Sequence, residues 1–204
     1  MDAINPEPAA APCGEELLDR MERAAVRVAE RLSRSTSALG SAHVPYALGG
    51  SNATSVWIAT VDESAVRQAR NVELVLRRRD LQHAGSILAG VGFEMSTVKG
   101  QVRFLDGPNG TWRDGLEITF GGEPEVGEFP GFEAPDPSAS EAIGDCCVLR
   151  LRELIEFQLA RYRLDDAVDL RDLIDVGLID RLWLDRLPRE LAARLRVLLE
   201  NPDG

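Results

Sequence analysis

The sequence predicts an α+β fold: a mixed β-sheet flanked by helices, with a C-terminal helical region. Three observations carry the prediction. Short apolar runs separated by turn-forming residues fill the middle of the chain. Apolar residues at helical spacing precede them and lie between them. After Arg150 the periodicity becomes wholly helical, and strands followed by a helical cluster are the pattern of an α+β domain. The 204 residues suffice for one domain that buries roughly 70% of its unfolded surface. The expected organisation is a disordered tail over 1–13, a core over 14–149 and a helical region over 150–204 packed on that core.

In order along the chain, residues 1–13 are rich in Ala and Pro and read as a tail. From Glu15, the residues Leu17, Leu18, Met21, Ala25, Val28 and Leu32 recur at helical spacing to about Leu39. Pro45 breaks the helix, and 46–48 reads as a short strand. Residues 51–59 read as a helix, with Ser51 or Asn52 as its cap. A polar insertion over 62–70 leads to a buried strand at 72–76. A helix over 80–91 ends at Gly92. Paired strands follow at 93–98 and 101–105, and a turn rich in Gly, Pro, Asn and Asp at 106–110. In the strand 116–120, Leu116, Ile118 and Phe120 alternate with Glu117 and Thr119. Residues 121–140 lack periodicity and read as a long surface excursion. A short strand at 146–149 precedes helices at about 150–162 and 165–177, and a third begins after Pro188. There is no internal repeat.

Composition narrows the function classes. The hydrophobic content of 44% is that of a soluble globular protein. No run approaches the roughly 20 apolar residues of a membrane span, and the first residues do not resemble a signal peptide, so a cytoplasmic location is expected. The net charge of −11 disfavours general nucleic-acid binding. Cys13, Cys146 and Cys147, with only two histidines, read as reduced thiols and leave no pattern for a zinc site. Asn52-Ala53-Thr54 and Asn109-Gly110-Thr111 read as chance matches to the glycosylation pattern.

Two segments suggest chemistry. Asn71 and Glu73 lie two residues apart and point to one face of their strand. Carboxylates at this spacing hold Mg²⁺, which prefers hard oxygen ligands. Glu117, the acid on the polar face of 116–120, is the natural third member, provided the two strands are neighbours. Gly49 and Gly50 let backbone N–H groups approach phosphate closely before a helix N-terminus, with Ser51 as a further donor. Each feature also has an ordinary reading: a solvated strand face, a surface glutamate, and a turn before a helix. The acidic helix 165–175 reads as a solvent face paired with Arg163 and Arg171, and the three tryptophans as packing residues.

Together, Val44-Pro45-Tyr46-Ala47-Leu48-Gly49-Gly50-Ser51 and Asn71-Val72-Glu73-Leu74-Val75-Leu76-Arg77-Arg78, with the later Gly92-Phe93, resemble the nucleotidyltransferase superfamily. The resemblance is to bacterial nucleotidyltransferases of the abortive-infection type and covers about residues 40–180. It implies a nucleotidyltransferase-like core that transfers a nucleoside monophosphate from an NTP to a hydroxyl. Asn71, Glu73 and Glu117 would be catalytic, with Mg²⁺ on Glu73 and Glu117. Gly49, Gly50, Ser51, Arg77 and Arg163 would bind the nucleotide. The sequence departs from the family at chemical positions. Asn71 stands for an acid, Gln158 and Asp165 stand for lysines, and the insertion lengthens the path from Gly50 to Asn71. These departures imply weak metal binding and weak or lost transfer. The competing reading is an inactive nucleotide-sensing or protein-binding module, such as one half of a toxin–antitoxin pair.

Overall fold

A computed structural model of the protein describes residues 14–124, 129 and 131–201; the expected tail over 1–13 lies outside them. The predicted first helix is α1, Gly14–Ser41. The glycine pair joins β1, Ala47–Gly49, to α2, Gly50–Ala59. The buried run after the insertion is β2, Val72–Leu76, followed by α3, Leu81–Gly90. A hairpin of β3, Phe93–Val98, and β4, Gln101–Asp106, leads to β5, Gly115–Phe120. Two short strands, β6, Ser140–Ile143, and β7, Cys146–Leu149, precede the helices α4, Leu151–Arg161, α5, Leu164–Asp175, and α6, Arg189–Glu200.

The seven strands form one mixed sheet in the order β3-β4-β5-β2-β1-β7-β6. β1 runs antiparallel to β2, while β2 and β5 are parallel neighbours. The five residues of β2 are all buried, as expected for a central strand covered on both faces. One hydrophobic core packs α1, α3 and the sheet through residues such as Leu39, Leu74, Phe93 and Phe104. A second unites the C-terminal helices with Ile58 of α2, through Ile155, Leu159, Leu170 and Leu195. The α+β arrangement therefore matches the expectation.

Three local expectations are corrected. A strand that the sequence reading does not assign, β6, begins at the end of the expected excursion over 121–140 and precedes the strand at 146–149. It lies at the sheet edge with its middle residues exposed, so no apolar alternation marks it. The cap of α2 is the Gly49 backbone with no side-chain bond, because Ser51 and Asn52 bond to Asp169 and to the Asn71 carbonyl instead. The acidic helix α5 is not a plain solvent face, since Asp166 and Asp169 are buried.

Candidate functional site

The turn from β1 into α2 shows what the glycine pair does. Gly50 has φ +52°, a conformation costly for residues with a Cβ. A Cβ there would sit 2.6 Å from Glu73 Oε2, and one at Gly49 would sit 3.3 Å from Glu73 Oε1. The space left by the absent side chains is filled by the Glu73 carboxylate.

Glu73 reaches the glycines because β1 pairs Gly49 with Glu73. On the other side β5 sets Glu117 level with Glu73 and Thr119 level with Val75. Glu73 and Glu117 therefore lie on adjacent strands at one height. Glu73 is only 7% exposed. Its Oε1 accepts from Arg161 Nη1 at 2.6 Å and from Thr119 Oγ1 at 3.2 Å. Arg161 Nη2 donates at 2.6 Å to Asp166 Oδ1, so one buried guanidinium bridges two buried carboxylates. Burial alone would raise the Glu73 pKa, but Arg161 outweighs it and holds Glu73 below the usual glutamate range. Arg161, desolvated but flanked by Glu73 and Asp166, is held above its ordinary value.

Glu117 is also claimed. Its Oε2 accepts from Asn71 Nδ2 at 3.0 Å and from Arg103 Nη2 at 2.7 Å. Its Oε1 lies 3.5 Å from Arg163 Nη1. Asn71 thus uses its amide as a donor. The backbone N–H of Arg163 donates to Asp166 Oδ2 at 3.0 Å, closing the first turn of α5 as a capping contact.

A second buried acid anchors the rim. Asp169 Oδ2 accepts from Ser51 Oγ at 2.8 Å and Gln158 Nε2 at 3.1 Å, and Arg67 pairs with Oδ1. Burial, aided by nearby Asp166 and Asp172, pushes Asp169 up to about 7 against the pull of Ser51 and Arg67. Arg67 also donates to Asp172 at 2.7 Å, so the insertion before β2 is tied across to α5.

Of the residues expected at the site, Gly50, Ser51, Asn71, Glu73, Glu117 and Arg163 line one small cavity of ≈ 70 Å³ with Asp165. Gly49 borders it through Glu73. A wider cleft of ≈ 240 Å³ over β4 and β5 shares Glu117 and Arg163 with it. Arg77 is not part of this arrangement. It follows the last residue of β2, at the far end from Asn71, and forms a two-pronged pair with Asp136. Gln158 is fully buried and bonds to Thr54 and Asp169, so it does not line the cavity. Sequence reasoning missed Arg161, Arg103 and Asp169. The available signal was an arginine, Arg161, on a helix whose neighbours Phe157, Leu159 and Ala160 are core residues.

A divalent cation needs anionic oxygens with lone pairs to spare. Here Asn71 turns an N–H toward Glu117, Arg103 holds the same oxygen, and Arg161 occupies the oxygen of Glu73 that faces Thr119. Among the described residues no group of three or more His, Cys, Asp or Glu side chains is arranged to hold a metal ion. The residues present do not fit a Mg²⁺ site.

No family model and no curated protein matches the chain. Several solved structures share its fold, among them the following three. JHP933 from Helicobacter pylori superposes with a TM-score of 0.52 at 15% identity, over 88% of this chain and 75% of that one. A candidate nucleotidyltransferase from H. pylori gives 0.51 at 15% identity, over 88% and 78%. The antibiotic-resistance factor ANT(2'')-Ia gives 0.50 at 12% identity, over 84% and 90%. The likeness is one of fold, and the fold is nucleotidyltransferase-like.

Proposed function

We propose that this protein keeps the nucleotidyltransferase architecture but has lost metal-dependent nucleotidyl transfer, and that it works as a binding module. The carrying observation is the state of Glu117: one of its oxygens accepts from both Asn71 and Arg103. A transfer site of this kind would use anionic oxygens at positions 71, 73 and 117 to hold metal against the phosphates. Here the first is an amide donor, and the other two are neutralised by Arg161 and Arg103. Replacing a carboxylate by an amide removes a charge–charge interaction of about 4 kcal/mol per unit charge at 4 Å and an effective dielectric near 20, and about twice that for a divalent ion. The arginines oppose cation entry further.

A nucleotide remains the favoured small ligand for the module, held without metal. The cleft beside the site supports this. Arg103, Arg163 and Arg78 line it together with Ile118, Phe120, Glu117 and Glu123. Arg78 stacks on the Phe120 ring at 3.8 Å and pairs with Glu123, as Arg103 does with Glu117, so a phosphate would take the place of these carboxylates on the arginines. Cations beside an apolar floor suit a phosphate joined to a flat base.

The test is incubation with labelled ATP or CTP, Mg²⁺ or Mn²⁺ and cell extract, alongside calorimetry with and without chelator. No label transfer is expected, and any nucleotide affinity should be unchanged by the chelator. Robust transfer that disappears in Glu73→Ala would overturn the reading and restore the enzyme.

A further inference from the structure

We propose that the first half of α1 is a self-association surface on which two copies of this chain pair as antiparallel helices. The helix has 28 residues, yet its buried residues are Arg31, Ser35, Thr36 and Leu39. From Gly14 to Ala24 every residue is exposed. Leu17, Leu18 and Met21 are 49%, 66% and 59% exposed. They continue the stripe that Val28 and Leu32 press onto the core, so the packing face of the helix runs on past the edge of the body. A helical segment in water with an uncovered apolar stripe draws little stability from propensity alone and gains most from packing that stripe.

Two features select a second copy in antiparallel sense. The first is charge. Residues 14–19 carry Glu15, Glu16 and Asp19 with no basic residue, while 20–27 carry Arg20, Arg23 and Arg27 against Glu22. An antiparallel overlap centred on Met21 sets the acidic turn of each copy beside the basic segment of the other. The second is space. The stripe faces the side on which the body lies. A parallel partner would run its own C-terminal half into that body, whereas an antiparallel partner leaves the two bodies at opposite ends. An overlap from Gly14 to Arg27 is about 20 Å long. That is at the small end of specific interfaces, so micromolar association is expected.

The experiment is sedimentation of the full chain across a concentration series spanning roughly 1–300 µM, the range around a micromolar Kd. The mass should rise from 22.3 kDa toward twice that value. Leu17→Glu with Met21→Glu should hold it at the monomer mass at every concentration. At the dilute end, where the wild type is also monomeric, the two should share one far-UV spectrum and one unfolding midpoint, since neither side chain is buried on the body. Only the wild type should gain helicity and midpoint as concentration rises. In a Cys13→Ser background, a mixture of Leu17→Cys and Ala25→Cys chains should cross-link under mild oxidation, while Leu17→Cys alone should not. A wild-type chain that stays monomeric throughout, a dimer that survives the double substitution, or cross-linking of Leu17→Cys to itself would each overturn the proposal.

Discussion

Asn71 donates its side-chain N–H to Glu117 across the boundary between the start of β2 and the middle of β5, at 3.0 Å. The two residues lie 46 positions apart in sequence and meet because β2 and β5 are parallel neighbours in register. The contact turns a position that resembles a metal ligand into a donor that satisfies one. It also depends on position 71 carrying an N–H.

Asn71→Asp should therefore act as a conditional substitution. Without metal it sets two carboxylates within hydrogen-bond distance and leaves only Arg103 and Arg163 to offset them. A loss of about 1–3 kcal/mol is expected. Millimolar Mn²⁺ should recover part of that loss in the variant and leave the wild type unchanged. Thermal unfolding of both forms with and without Mn²⁺ measures this.

Arg161 sits at the centre of a buried ion triad, with Glu73 and Asp166 each 2.6 Å away. Arg161→Met removes the cation and strands two buried carboxylates. Breaking a buried pair on one side typically costs about 3–5 kcal/mol, so urea unfolding should show a loss of that size. Arg161→Lys keeps the charge but not the fork, and should be intermediate.

Gly50 and Gly92 both have positive φ, +52° and +90°, but only Gly50 has a crowded Cβ position. Gly92→Ala meets nothing within 4 Å and should cost about 1–2 kcal/mol of backbone strain. Gly50→Ala adds a contact at 2.6 Å with Glu73 Oε2 and should cost more than Gly92→Ala in parallel denaturant titrations. Equal costs would mean that the Glu73 carboxylate does not rest on this turn.

Asp169 sets a pH dependence of stability. Its folded pKa is raised to about 7 from an ordinary 3.8, so between these values the folded state binds more protons than the unfolded one. Stability contributed by this group is thus full at and below about pH 4, falls as pH rises to about 7, and is flat above. The slope cannot exceed about 1.4 kcal/mol per pH unit. Relative to Asp169→Asn, the wild type should lose stability across that window, as read by denaturant midpoints at fixed ionic strength. Glu73, held below its ordinary value by Arg161, works in the opposite sense, and its contribution is lost only as pH falls below the usual glutamate range.

Local sequence pattern was enough for most of the strands and helices and for the faces of the central strands. Alternation in 116–120 put Glu117 and Thr119 opposite Leu116 and Ile118, and the apolar run of 72–76 marked a central strand, because side-chain direction in a strand follows from local backbone geometry. The glycine pair also marked a special turn, since positive φ at Gly50 is a local property. The edge strand β6 was not legible, because an exposed edge needs no apolar pattern. What the polar residues do is set by contacts between segments distant in sequence. Arg161 lies 88 positions from Glu73, and Arg67 lies 102 from Asp169. Which carboxylate an arginine neutralises depends on which helix end the fold lays over which strand. Arg77 and Arg161 are both arginines beside apolar segments, yet packing sends one to Asp136 at the far end of β2 and buries the other against Glu73. A charge finds its partner through burial and distance, and neither is written in the local pattern.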